Sequence, residues 1–128
     1  MSEPVWLPSE IILAIHDEQI AEHGGLAGVR DVNLLDSALA RPKNAFAYGE
    51  RDLCVLAALY ASGIVRNHPF ADGNKRSAFV ACELFLTLNG LLLMADDDAC
   101  VTQTVALAAG ELDEHAFSAW LHANVEPA

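Results

Sequence analysis

The chain has 128 residues, 53% of them hydrophobic and 20% charged, with a formal net charge of −11. That is the composition of one globular domain, residues 1–128, and it excludes a disordered, collagen-like or repeat chain. An acidic surplus of this size repels phosphate backbones, so direct nucleic-acid binding is not expected.

The opening MSEPVWLPSE has no basic stretch and is interrupted by Pro4 and Pro8, so no secretory leader is expected. Apolar runs fall far short of the ~20 residues a spanning helix needs, which excludes a membrane role and points to the cytoplasm. A first helix is predicted from Ser9, a cap candidate, with Ile11, Ile12, Ile15 and Ile20 as its apolar side and Gly24–Gly25 as its end. GGLAGVRD (24–31) then forms a glycine-punctuated loop. A short second helix, capped at Asn33, stops on the approach to Pro42 and leaves RPKNAFAYGE (41–50) as a surface connection.

The third helix, about 52–66, places Leu53, Leu56, Ala57, Tyr60, Ala61 and Ile64 on one side. Pro69 prevents its continuation. The next helix opens at Gly73–Asn74 and ends at Asn89–Gly90. It is apolar on several sides (Ala78, Phe79, Cys82, Phe85, Leu86), as a central buried helix should be, and Phe79 is expected in the core. LLLMA (91–95) reads as a short extended segment, and two last helices fit 97–109 and 113–124. The fold class is therefore all-α, with about six helices around a central helix preceded by a motif loop.

Cys54, Cys82 and Cys100 are odd in number and set among Leu, Val and Ala, which predicts reduced core thiols rather than disulfides. His16 and His23, like His115 and His122, lie seven apart without a zinc pattern, and read as structural. Trp6 and Trp120 are expected to anchor the two ends to the core.

One segment departs from this pattern. HPFADGNKR (68–76) concentrates basic chemistry in an acidic chain: of seven basic residues, Arg66, Lys75 and Arg76 fall within eleven positions. GNKR opens a helix, whose first amides lack partners and whose dipole favours an anion there. Gly73 lets a ligand approach the backbone, and Lys75 and Arg76 add charge. Asp72 makes sense as a ligand for Mg²⁺ bridging phosphate oxygens. His68 can take a proton from an attacking hydroxyl. Phe70 reads as the anchor of the loop to the core, and Pro69 as its fixed exit.

These residues resemble the signature of the Fic/Doc superfamily, HxFx(D/E)(G/A)N(G/K)R. The flanks IHDEQIAEHGGLAGVRD, LLDSALARPKN, LFLTLNG and GELDE resemble its Doc (death-on-curing) branch, over roughly residues 5–124. The resemblance implies an all-helical fold with the motif leading into a central helix. It implies His68 as the catalytic base, Asp72 as the Mg²⁺ ligand, and Gly73, Asn74, Lys75 and Arg76 as the holders of ATP phosphates. Arg66 matches a further basic residue at the site. AMP-transferring members generally read GNGRxxR, whereas Lys75 and Phe79 replace the second glycine and the second arginine here. Both departures imply that the γ-phosphate of ATP faces the target hydroxyl. The implied activity is a toxin kinase acting on a translation factor such as elongation factor Tu. The spellings PF and DGN are nearer the AMP-transferring members, which keeps protein AMP-transfer as the alternative. A degenerate module that only binds an antitoxin or acts as a co-repressor is a third reading, against which the complete His68, Asp72, Asn74 and Arg76 speak. None of the nine glutamates precedes Gly or Asn as the self-inhibiting motif requires. Control is therefore expected from a Phd-like antitoxin in trans, with the loop 24–31 a candidate border of the target or antitoxin groove.

Overall fold

The computed structural model describes residues 2–128; Met1, the first residue of the expected domain, lies outside them. Six helices follow in order: α1 (Ser9–His23), α2 (Val32–Ala47), α3 (Leu53–Asn67), α4 (Asn74–Leu88), α5 (Asp97–Ala108) and α6 (Glu114–Asn124). Two short strands, β1 (Leu91–Leu93) and β2 (Val125–Pro127), complete them. The expected all-α fold is what forms. Among the described residues no helix is long and apolar enough to cross a membrane.

Four helices begin on an aspartate whose carboxylate accepts free first-turn amides: Asp31, Asp52, Asp96 and Asp113. The cap of α2 is thus Asp31 and not Asn33, because Asp31 Oδ1 accepts from Asn33 N at 2.9 Å and Leu34 N at 3.2 Å. Ser9 does not cap α1 either. Its hydroxyl turns to Glu10, and the Pro8 carbonyl takes the amides of Ile11 and Ile12.

The second helix does not stop before Pro42. It runs through to Ala47, and the expected surface connection 41–50 is mostly its last turns. Proline removes one ladder bond and crowds the carbonyl four residues back. Here that residue is Ala38, and it lies against Gly63 of α3: a Cβ at position 63 would meet Ala38 Cα, Cβ and O at 3.2 Å each. Leu35, Ala38, Leu39 and Pro42 are all buried on the face that continues to the packed Ala45 and Phe46. Burial of this stripe outweighs a defect that costs about 3 kcal/mol in an unsupported helix.

α3 and α4 form the centre together. α3 buries more of its length, ten of fifteen residues against seven of fifteen for α4. Tyr60 and Phe85 are fully buried between them, with ring centroids 5.1 Å apart. Trp6 stacks on Phe85 and meets Phe46 edge-on, and Trp120 packs on Phe117, so both tryptophans anchor the chain ends as predicted. The segment 91–95 is extended, but it also finds a partner. β1 pairs antiparallel with β2 in the register Leu91↔Pro127, Leu92↔Glu126 and Leu93↔Val125. The three cysteines are free and buried, and burial raises the Cys54 thiol to about 11.

Candidate active site

The site forms where α3 stops and α4 starts. α3 ends at His68, whose φ of 52° and ψ of 54° are left-handed. His68 is the one non-glycine residue with positive φ among those described. Such a conformation is uncommon outside glycine and needs support from its surroundings. The support comes from Arg30 in the glycine loop: its Nε donates to the His68 carbonyl at 2.9 Å and its Nη2 to the Asn67 carbonyl at 3.1 Å. A guanidinium on the last carbonyls of a helix also suits the helix dipole.

The rest of that loop straps onto the motif. Arg30 N and Asp31 N donate to the Pro69 carbonyl at 2.7 and 3.1 Å, and Ala71 N donates to Gly28 O at 3.1 Å. Val29 and Phe70 form an antiparallel bridge. Residues 24–31 are therefore a structural part of the site, beyond the expected border of a groove.

Below the loop, Phe70 is fully buried. Asn74 is also buried, and both ends of its amide are used on the loop: Oδ1 accepts from Phe70 N and Nδ2 donates to Phe70 O, each at 3.0 Å. Its side chain thus fixes the turn. His16, expected to be an ordinary structural histidine, is 1% exposed and lies flat on Phe70, with ring centroids 3.9 Å apart. The Asp72 carbonyl accepts from its Nε2 at 2.8 Å, which puts the ring proton on that nitrogen. The histidine holds the motif in place from beneath.

On the upper side, Gly73 (φ 76°) opens α4 and no side chain caps that helix, so its first amides face outward. A Cβ at Gly73 would come within 3.3 Å of Ile20 and 3.5 Å of Arg76. Asp72 Oδ1 accepts from Gly73 N at 2.9 Å, and Leu26 N approaches Oδ2 at 3.4 Å. These amides, with Arg76 and His16 nearby, hold the Asp72 carboxyl below its ordinary range, so it is ionised at neutral pH. Arg76 Nη2 donates to Gly24 O at 3.2 Å, while its buried Nε has no partner among the described residues. Lys75 is exposed.

His68, Asp72, Gly73, Asn74, Lys75 and Arg76 all line one cavity of about 550 Å³. Its other wall is mostly apolar, with Phe79 and Val80 from α4 and Val101 and Val105 from α5, and Asp97 and Thr104 of α5 also line it. Phe79 is half-buried and faces this cavity, rather than sitting in the core as expected, because α5 stands off from α4 there. The volume suits a nucleotide-sized ligand.

Arg66 does not join the cavity. It lies at 3.5 Å from Glu114 of α6, which also accepts from Arg41 at 2.5 Å and from Ser62. Burial pushes the Glu114 carboxyl up, but Ser62, Arg41 and Arg66 together hold it below its ordinary value. The α5 wall and Arg30 were not singled out from sequence, and His16 was read only as a structural histidine. For the last two a signal existed in IHDEQIAEHGGLAGVRD, which carries both.

Two comparisons place this arrangement. The sequence model of the Fic/DOC family matches residues 6–86. A protein kinase doc of Escherichia phage P1 is 37% identical over 106 residues, covering 82% of each chain. A toxin Doc of Mycolicibacterium smegmatis is 46% identical over 78 residues, 59% of each chain. The matched span takes in the strap, the motif loop and α4 up to Leu86, the elements that build the basic side of the cavity. The chain belongs to the Fic/DOC family, on its Doc branch.

Proposed function

We propose that the protein is a Doc-like toxin that transfers the γ-phosphoryl group of ATP to a hydroxyl side chain of a protein in the translation machinery. By likeness to the Doc branch, a translation factor such as elongation factor Tu is the target class, and a Phd-like antitoxin in trans is the restraint. The observation that carries the reading is the make-up of the cavity. Lys75, Arg76 and the open amides of α4 line it, and Phe79, at the sequence position of the second arginine of GNGRxxR, lines it with an apolar ring instead.

In this reading His68 accepts the proton of the target hydroxyl as its oxygen attacks the γ-phosphorus. The bond from that phosphorus to the β–γ bridging oxygen breaks, and ADP leaves with the electron pair. Lys75, Arg76 and the α4 amides hold the phosphates in line. Phe79, Val80, Val101 and Val105 exclude water from one side. Asp72 supplies one ionised carboxylate beside the anion site, which fits Mg²⁺, a cation that binds through one or two carboxylates, phosphate oxygens and water. Bound there, Mg²⁺ would neutralise phosphate charge.

The test uses candidate targets incubated with ATP labelled on the α- or the γ-phosphate. Label moving only from the γ-position, with one phosphate gained in the target's mass, supports the kinase. A gain of AMP overturns it in favour of protein AMP-transfer, the reading favoured by the spelling PF and DGN.

A further inference from the structure

At the other end of α3, roughly 22 Å from His68 along the helix, three side chains that the proposed function leaves unused come together. Asp52 caps α3 through Oδ1, and its Oδ2 meets Nε2 of His122, in the last turn of α6, at 2.5 Å. Cys54 completes the group: one carboxylate oxygen, one imidazole nitrogen and one sulfur lie within 4.8 Å of one another. An ion pair between helix ends accounts for Asp52 and His122, and Cys54, a core residue, brings a sulfur beside them.

We propose that Asp52, Cys54 and His122 form a three-ligand zinc site with its fourth position open to water. Mixed nitrogen, sulfur and oxygen donors are zinc's ligand set, whereas a thiolate is a poor partner for Mg²⁺ or Ca²⁺. Zinc bonds of about 2.0–2.3 Å place tetrahedral donors roughly 3.3–3.7 Å apart. The 2.5 Å Asp52–His122 contact has to open, and both donors have to close on a sulfur that lies within 4.8 Å of them. His122 and Asp52 side chains are 53% and 35% exposed, so both can adjust, while the buried Cys54 is the fixed inner ligand. On binding, Cys54 releases its thiol proton, and His122 offers the Nε2 lone pair with its ring proton on Nδ1. One carboxylate and one thiolate then balance the ion's two charges.

Cobalt(II) reports this directly, because a thiolate ligand produces an intense charge-transfer band and tetrahedral geometry strong visible bands. The full chain, reduced and in excess Mg²⁺ to mask Asp72, is titrated with Co²⁺ and then with Zn²⁺. One equivalent of cobalt should produce the bands and zinc should abolish them. Cys54→Ser should remove the charge-transfer band, and Cys100→Ser should keep it. His122→Gln, a surface change, should weaken zinc binding by at least the roughly 10–100-fold that loss of an outer-shell partner costs. It should also abolish the rise in melting temperature that zinc produces in the unmodified protein. Absence of the thiolate band, or its survival in Cys54→Ser, overturns the site. If Cys54→Ser does not fold, His122→Gln decides: unchanged zinc affinity and an unchanged melting shift overturn the proposal.

Discussion

α3 begins at Asp52, whose carboxylate receives two free amides, and ends at His68, whose left-handed backbone is held by a guanidinium from 38 residues away. The first end is satisfied by its own neighbours and by the side chain most helices use. The second runs against local preference and is held by Arg30, while Asn74 and His16 fix the loop that follows it at Phe70 and Asp72. Where the chain follows local rules it is building stability. Where it departs from them at His68 it presents a side chain to a cavity, the usual reason for stored backbone strain.

The comparison breaks most sharply at His68. His68→Ala should lower phosphoryl transfer by roughly 10²–10⁴-fold, the ordinary contribution of a general base, with a melting temperature close to that of the parent. A folded variant that keeps its activity would remove His68 from the mechanism. Arg30→Ala comes next. Loss of its two bonds to the carbonyls of Asn67 and His68 should misplace the base and cost on the order of 10²-fold in kcat. The KM for ATP should hold, because the phosphate-binding residues stay in place; a rise in KM without a fall in kcat would assign Arg30 to binding instead.

Stability should move in opposite directions at the two ends. Asp52→Ala removes a cap and should cost about 0.5–2 kcal/mol. His68→Gly relieves positive φ and should gain on the order of 1 kcal/mol while abolishing transfer. Chemical denaturation measures both, and a destabilised His68→Gly would show that the left-handed turn stores no strain. A subtler effect is expected along α4. Lys75→Gly should lower phosphorylation, and Phe79→Arg added to it should permit some AMP transfer, read by target mass. Because Phe79 faces the cavity, the new guanidinium enters water and phosphate rather than the core. The smallest effect is on pH. Asp72 has its carboxyl lowered in the fold, so its contribution is complete above the ordinary value of 3.8 and is lost as pH falls through the lower folded value. Mg²⁺-assisted ATP binding should therefore show no Asp72 titration between pH 5 and 8, which calorimetry against Asp72→Asn can check.

The motif was legible because its chemistry is local: nine consecutive residues place a histidine, an aspartate, two cations and the open start of a helix at one turn. The six helices were legible from periodicity and Asp, Gly and Pro boundaries. Pro42 misled because its cost is local while its compensation is not. The stripe of α2 and the bare Gly63 that receives Ala38 belong to different helices. Asn33 misled because Asp31, two residues earlier, has a carboxylate oxygen that reaches the free amides first. His16 and Arg30 act on carbonyls 56 and 38 residues away, and no pattern within one helix carries such a distance. Arg66 matches the family by position, yet α6 brings Glu114 to it.

The strap over the motif has a consequence for slow motions. Residues 21–30 are all exposed, so the loop 24–31 has almost no core of its own and owes its order to the bonds it makes with Pro69 and Ala71. A segment held that way opens as one unit or not at all. The amides of Arg30, Asp31 and Ala71 should then exchange with deuterium at a common rate, faster than those of α3 and α4. A protein that grips the strap would slow all three together, and by reciprocity whatever fills the cavity and steadies the motif would tighten that grip by the same factor.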